Sequence, residues 1–281
     1  MALALNEIVM SMRSLQPFPQ VAAAVLQLSQ RQGTVPNDLI ETIQTDPALV
    51  GKVLKLCNSA YYGFQREVAS IREAGNMLGT ETLVSLVMTT CANRYFQSHA
   101  KNGDPDAEGL WARCVTNAVA SRLLAQHHGR TDPDRAYTAG LLQNVGEVVL
   151  SRYMAEHQAQ VEAEIACGRS TNDAERVILG MHHAEVGARL ATSWSLPDLI
   201  VDTIRYHHDP SKAKFDVALV STTHLAETMT FVSLDEKADQ RLRHEPDRIA
   251  MEVTGLQAED FENFDMELSA ELVKAEELLR G

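Results

Sequence analysis

Several absences in the sequence narrow what the chain can be. It has only four cysteines, Cys57, Cys91, Cys114 and Cys167, and no two form a C-x-x-C pair. That excludes a zinc ribbon and a thioredoxin-type motif, and so few cysteines in 281 residues fit reduced thiols in a cytosol. Basic charge is in deficit: 25 Lys and Arg face 38 Asp and Glu, a net charge of −13. Such a surface repels phosphate backbones, so nucleic acid is not the expected partner. No apolar run approaches the ~18 residues that suggest a membrane span. The start, Met1 to Glu7, lacks a basic n-region and is interrupted by Asn6 and Glu7, so it does not read as a signal peptide. Also missing are a Walker-type Gly-Lys-Ser/Thr, G-x-S-x-G, H-E-x-x-H and EF-hand spacing.

What is present is helical patterning on an ordinary globular composition, 45 % apolar and 22 % charged. Val21, Val25 and Leu28 repeat at helical spacing. Asp46-Pro47 reads as an N-cap with Pro at the first helical position, and Val50, Val53, Leu54 and Cys57 continue that helix. Leu78-Gly79-Thr80 reads as a stop and a restart, with Leu83, Val84, Val87 and Met88 on the next buried face. The stretch from His99 to Glu108 carries Gly, Pro, Asn and Asp and marks a lobe boundary. Beyond it, helices are expected over 111–124 and on toward Gly129, then from Thr131-Asp132-Pro133 through Ala139–Gly146. Further helices are expected at 174–192, 197–206 and 217–231. No segment shows sustained period-2 alternation. Residues 235–281 hold 14 acidic against 6 basic residues, net −8, and read as short amphipathic helices including Leu268, Leu272 and Leu278-Leu279.

Among ten histidines three adjacent pairs stand out: His127-His128, His182-His183 and His207-His208. His183 is followed by Val186, Gly187 and Leu190 at i+3, i+4 and i+7, so it is expected to face inward and His182 to face water. His207 and His208 follow Ile200 and Ile204 at spacings that let either turn inward. His127-His128 stands at a helix end beside Gly129, where a surface imidazole meets the helix dipole. Buried histidines from several helices either form a metal site or are core residues satisfied by hydrogen bonds, and residue types alone favour the second. Cys114 has no base partner in the sequence and reads as a small buried residue. Tyr61 and Tyr62 read as packing between lobes rather than as an exposed recognition surface.

Many short motifs in order resemble the HDOD proteins, HD-related output domains of bacteria. They are Asp46-Pro47-Ala48-Leu49, Cys57 to Gly63, Ile71…Ala74…Leu78-Gly79 and Leu110-Trp111. They continue with Ala139 to Leu142, His183 to Ala188, Trp194 to Pro197 and Ile204 to His208. The resemblance covers roughly 15–232. It implies an all-α, multi-helical fold with an N-terminal helical lobe (1–105), an HD-like helical bundle (106–232) and an acidic helical tail (233–281).

HDOD domains are similar in fold to HD phosphohydrolases, where a His, a His-Asp pair and a later Asp bind metal. The positions that match here depart from that set. The first His position looks like Cys114, the His-Asp pair is replaced by Gln143-Asn144, and the final Asp looks like Glu227. Asn and Gln offer only neutral carbonyl oxygens, which suit transition metals poorly. No bound metal, no cofactor and no enzymatic turnover are therefore expected. The residues expected to line a degenerate ligand pocket are Cys114, Gln143, Asn144, His183, His207, His208 and Glu227. The resemblance implies a cytoplasmic signal-transduction protein that acts by binding a protein partner or a small nucleotide. The competing reading is a metal-dependent phosphohydrolase acting on nucleotides or cyclic dinucleotides.

Overall fold

The structure, a computed structural model, describes residues 7–12, 17–31, 35–100, 107–234 and 246–275. Among the described residues every regular element is helical. The first group is α1 (residues 7–12), α2 (Gln20–Ser29), α3 (Pro36–Gln44), α4 (Pro47–Cys57), α5 (Ile71–Leu78) and α6 (Thr80–Ala100). The second is α7 (Ala107–His128), α8 (Pro133–Leu142), α9 (Glu147–Ala166), α10 (Thr171–Leu179), α11 (His183–Ser193), α12 (Asp198–Tyr206) and α13 (Val217–Leu234). A 3-10 turn, Pro210–Lys212, links α12 to α13, and α14 (Arg248–Thr254) and α15 (Ala258–Lys274) end the described chain. None of these helices is long and apolar enough to cross a membrane.

Local chemistry sets the boundaries. The Asp46 carboxylate accepts hydrogen bonds from the amides of Ala48 (3.0 Å) and Leu49 (3.1 Å), so α4 starts where Asp-Pro predicts. Ser70 caps α5 and Asp132 caps α8 in the same way. Gly79 takes φ +84°, which ends α5 and lets α6 begin at once. Leu83, Val84, Val87 and Met88 are buried, as their spacing predicts.

Two expectations are corrected, and one helix is added. The helix expected through Ala139–Gly146 ends at Leu142, and Gln143 to Gly146 form a turn into α9. The stretch 174–192 is two helices, because Gly180 adopts a left-handed conformation that stops α10 before α11. The long α9 was not expected at all. The boundary stretch is only partly visible, since 101–106 lie outside the described residues, as do 235–245 and 276–281 with Leu278-Leu279.

One apolar cluster runs from Phe18, ahead of α2, and Val25 in α2 through Trp111 and Leu124 in α7 and Leu141 in α8 to Phe264 and Leu268 in α15. The two groups of helices and the tail therefore share a core. A smaller cluster joins Ile8, Leu150, Leu179 and Val186 beneath α1. Helices α7 and α8 pack closely because Gly140 has no side chain: a Cβ there would stand 2.4 Å from Ser121 Oγ and 2.7 Å from the Asn117 carbonyl oxygen.

Arg122 on α7 ties the groups together. Its guanidinium donates to Tyr61 Oη (3.0 Å) and Asp134 Oδ1 (2.5 Å) and lies 4.1 Å from the centre of the Tyr137 ring. Asp134 in turn accepts from Thr82 on α6 at 2.9 Å. Tyr61 thus packs the junction, as the sequence suggests. Arg122→Ala is expected to destabilise the chain by about 3–5 kcal/mol, because it leaves a mostly buried carboxylate without its cation. Urea unfolding checks this, and a loss below about 1 kcal/mol would remove Arg122 from the account.

Candidate functional site

Five segments bring polar groups together inside the second group of helices. The turn after α8 brings Gln143 and Asn144, α10 brings Glu175, the first turn of α11 brings His183, the end of α12 brings His207 and His208, and α13 brings Glu227. The close approach of the α8–α9 turn to α11 needs a glycine. A Cβ on Gly146 would lie 1.9 Å from the His183 carbonyl oxygen and 2.6 Å from the Gly187 amide nitrogen. Gly146 thus lets the Gln143-Asn144 turn reach the histidines.

His183 is buried and held from one side by Glu175. Glu175 Oε2 accepts from the His183 backbone amide at 2.8 Å and contacts Nδ1 at 2.9 Å. The amide is the first of α11 and has no partner within the helix, so Glu175 supplies its acceptor. Burial disfavours charge on the imidazole, but the Glu175 carboxylate outweighs it and raises the His183 pKa to about 9. Burial works likewise against the Glu175 charge, yet His183 keeps that carboxyl below the usual range. On the far side His183 Nε2 meets His208 Nε2 at 2.8 Å, a contact that needs one proton between two lone pairs. A protonated His183 satisfies both contacts, donating to Glu175 and to His208.

His207 is fully buried. Its Nδ1 donates to the Ile204 carbonyl oxygen at 2.8 Å, which leaves Nε2 as the lone-pair nitrogen. Among the described residues Nε2 has no hydrogen-bond partner, and it lies 3.7 Å from Glu227 Oε2. Burial, opposed by Glu227, lowers the His207 pKa to about 4, so its ring is neutral at physiological pH. Glu227 Oε2 is 3.6 Å from His208 Nδ1, and Oε1 accepts from Asn144 Nδ2 at 2.8 Å. One imidazole nitrogen from each of His183, His207 and His208 falls within a group whose members are no more than 4.8 Å apart.

The seven sequence-derived residues are all buried or nearly so, but they do not take part equally. Asn144, His183, His207, His208 and Glu227 form one network. Gln143 is fully buried beside it, and its amide makes no hydrogen bond among the described residues. Cys114 lies on α7 within electrostatic reach of Glu227; burial first, then Glu147, pushes its thiol pKa up. A protonated buried thiol is neither a nucleophile nor an anionic ligand. Both His207 and His208 turn inward. His182, expected in water, is also largely buried, because it is the N-cap of α11 and not part of its wet face. His127 and His128 do end α7; His128 bonds Thr222 at 2.9 Å and His127 lies against Phe264.

The sequence reading missed Glu175. The available signal was its spacing: it precedes buried Leu179 by four residues, which puts a carboxylate on the buried face of α10.

The described residues form an all-α fold with a buried histidine cluster beside the amide pair Gln143-Asn144. The HDOD domain family model matches residues 15–210. The chain belongs to the HDOD family. It is similar to an HDOD domain protein of unknown function from Geobacter sulfurreducens, with 25 % identity, a TM-score of 0.73, and coverage of 99 % of this chain and 97 % of that one. It shares its fold with a protein from Shewanella amazonensis provisionally named a phosphohydrolase (23 % identity, TM-score 0.69, 97 % of each chain). It shares it too with one from Marinobacter aquaeolei provisionally named a signal transduction protein (23 %, TM-score 0.71, 95 % of this chain and 58 % of that one). An uncharacterized protein of Treponema pallidum is 32 % identical over 230 residues, 78 % of this chain; the chain spans 43 % of that relative's length.

Proposed function

We propose that this chain is a regulatory HDOD module that works by binding and does not hydrolyse phosphate esters. The carrying observation is the Asn144–Glu227 hydrogen bond at 2.8 Å. An aspartate opposite Glu227 would need a cation to offset two facing carboxylates, whereas the asparagine amide satisfies Glu227 by itself. Gln143, Asn144 and Cys114 supply neutral groups where a hydrolytic metal site needs anionic and imidazole ligands. The similarity in fold to the Marinobacter protein provisionally named for signal transduction supports a signalling role, with a protein partner or a small nucleotide as the bound species.

The test is turnover of bis(p-nitrophenyl) phosphate, p-nitrophenyl phosphate and cyclic dinucleotides with Mg²⁺, Mn²⁺, Fe²⁺ or Zn²⁺ present. No hydrolysis above the protein-free rate is expected. Hydrolysis that disappears in His183→Ala would overturn the reading.

One observation favours a second, compatible reading, that the module carries a single divalent cation. His207 Nε2 is a buried lone pair with no hydrogen-bond partner among the described residues; His183 and His208 cluster with it, and Glu227 Oε2 lies 3.7 Å away. Three imidazoles, with the Glu227 carboxylate beside two of them, suit Zn²⁺ or a similar ion, with Glu175 orienting His183 and the Ile204 carbonyl orienting His207. Bound there, the ion would supply charge to the pocket.

A further inference from the structure

The tail touches the histidine pocket through one side chain that neither the HD-type ligand set nor the pocket uses. His224 lies on α13, one helical turn before Glu227, and is 4 % exposed. Its Nε2 accepts the backbone N–H of Asp247 at 3.0 Å. An accepting Nε2 places the ring proton on Nδ1, which donates to the backbone carbonyl of His207 at 2.8 Å. One imidazole therefore bridges the tail backbone and the segment that presents His207 and His208.

The far side of this bridge is the start of a helix. The Asp247 carboxylate caps α14 by accepting from the amides of Ile249 (2.7 Å) and Ala250 (3.3 Å). The tail's own seat lies elsewhere: Leu256, Phe264 and Leu268 are buried in the main cluster, and Phe264 lies edge-on to His127 with ring centres 4.9 Å apart. Apolar burial thus holds the tail, and α14 packs against α13 and the 3-10 turn; among the described residues the hydrogen-bonded link from the tail to the segment bearing His207 and His208 runs through His224.

We propose that residues 246–275 form a seated strap whose docking is coupled to the histidine pocket through His224. With the strap seated, His224 fixes the His207 carbonyl and so the position from which His207 Nε2 faces Glu227. Release of the strap removes the acceptor requirement at Nε2 and frees the ring to leave His207. Because linkage is reciprocal, filling the pocket must tighten the strap by the same factor by which the strap tightens the pocket. The ligand half of this coupling rests on the cation reading above.

The experiment uses the full chain with Zn²⁺ as the probe, titrated against a chromophoric chelator, and hydrogen exchange of 246–275 as the readout of the strap. His224→Phe removes both hydrogen bonds. His224→Gln keeps a donor and an acceptor on one side chain. Orienting contacts of this kind carry about 10–100-fold in metal affinity. His224→Phe is therefore expected to weaken Zn²⁺ about tenfold or more and to speed exchange in α14, with His224→Gln closer to wild type. Zn²⁺ is expected to slow exchange in α14 of the wild type only. Phe264→Asp, which unseats the strap from its apolar side, is expected to shift the imidazole ¹⁵N signals of His207, a readout that needs no metal. Zn²⁺ binding equal in wild type and His207→Ala would sink the cation reading alone. Unchanged His207 signals in Phe264→Asp, with α14 exchanging freely, would sink the coupling.

Discussion

Glu175→Ala is expected to cost about 3–5 kcal/mol of folding stability, the range for removing one partner of a buried ion pair. The carboxylate does two jobs from one oxygen: it accepts the first amide of α11 at 2.8 Å and it meets His183 Nδ1 at 2.9 Å. Truncation leaves a buried backbone donor unsatisfied and an imidazole without its counter-charge, next to a second histidine. Both side chains of the pair are under a tenth exposed, so solvent does little to soften the loss. Glu175→Gln keeps a neutral acceptor and is expected to fall between alanine and wild type. Urea unfolding measures all three. A cost for alanine below about 1 kcal/mol would mean that the pair contributes little, and that something else positions His183.

The second large effect is expected at Asn144→Asp. The substitution is nearly isosteric but turns a donor toward Glu227 Oε1 into a second carboxylate at hydrogen-bond distance, in a place where Glu227 is 4 % exposed. Two carboxylates so placed either share a proton or repel. A loss of about 3 kcal/mol or more at neutral pH is expected, as for other buried charges left unpaired. The same change restores an anionic ligand beside three imidazoles, so Mn²⁺ or Zn²⁺ is expected to recover much of that stability by binding only the folded state. Thermal melts of variant and wild type, each with metal and with chelator, separate the two effects. A variant as stable as wild type in chelator would show that the amide is not what satisfies Glu227.

These two sites also show how far the sequence carries. Asn144 was legible because a resemblance to HD phosphohydrolases marks its position, and the chemistry of an amide follows from residue type alone. Glu175 was not, because no motif marks it and its partner is eight residues away across a glycine break. The helix starts at Asp46-Pro47 and Thr131-Asp132-Pro133 were legible since capping is a local event. The end of α8 at Leu142 was not, because the turn follows from the close approach of Gly146 to α11, a tertiary constraint. Helix α9 escaped for a related reason. Its first turn, with Val148 to Leu150, is buried in the core, while 158–160 stand in solvent, so no single face repeats along its length. The inward turn of His183 followed from the apolar residues after it, but burial of His182 came from its role as N-cap, which periodicity does not report.

The central claim is that the buried histidines beside the Gln143-Asn144 amide pair hold one cation at most. Elemental analysis of chain purified without chelators, paired with the same analysis of His207→Ala, tests it directly. The account predicts no more than one equivalent of divalent metal per chain, lost in His207→Ala. Two equivalents per chain would contradict it, because Gln143 and Asn144 offer no ligand set for a second ion.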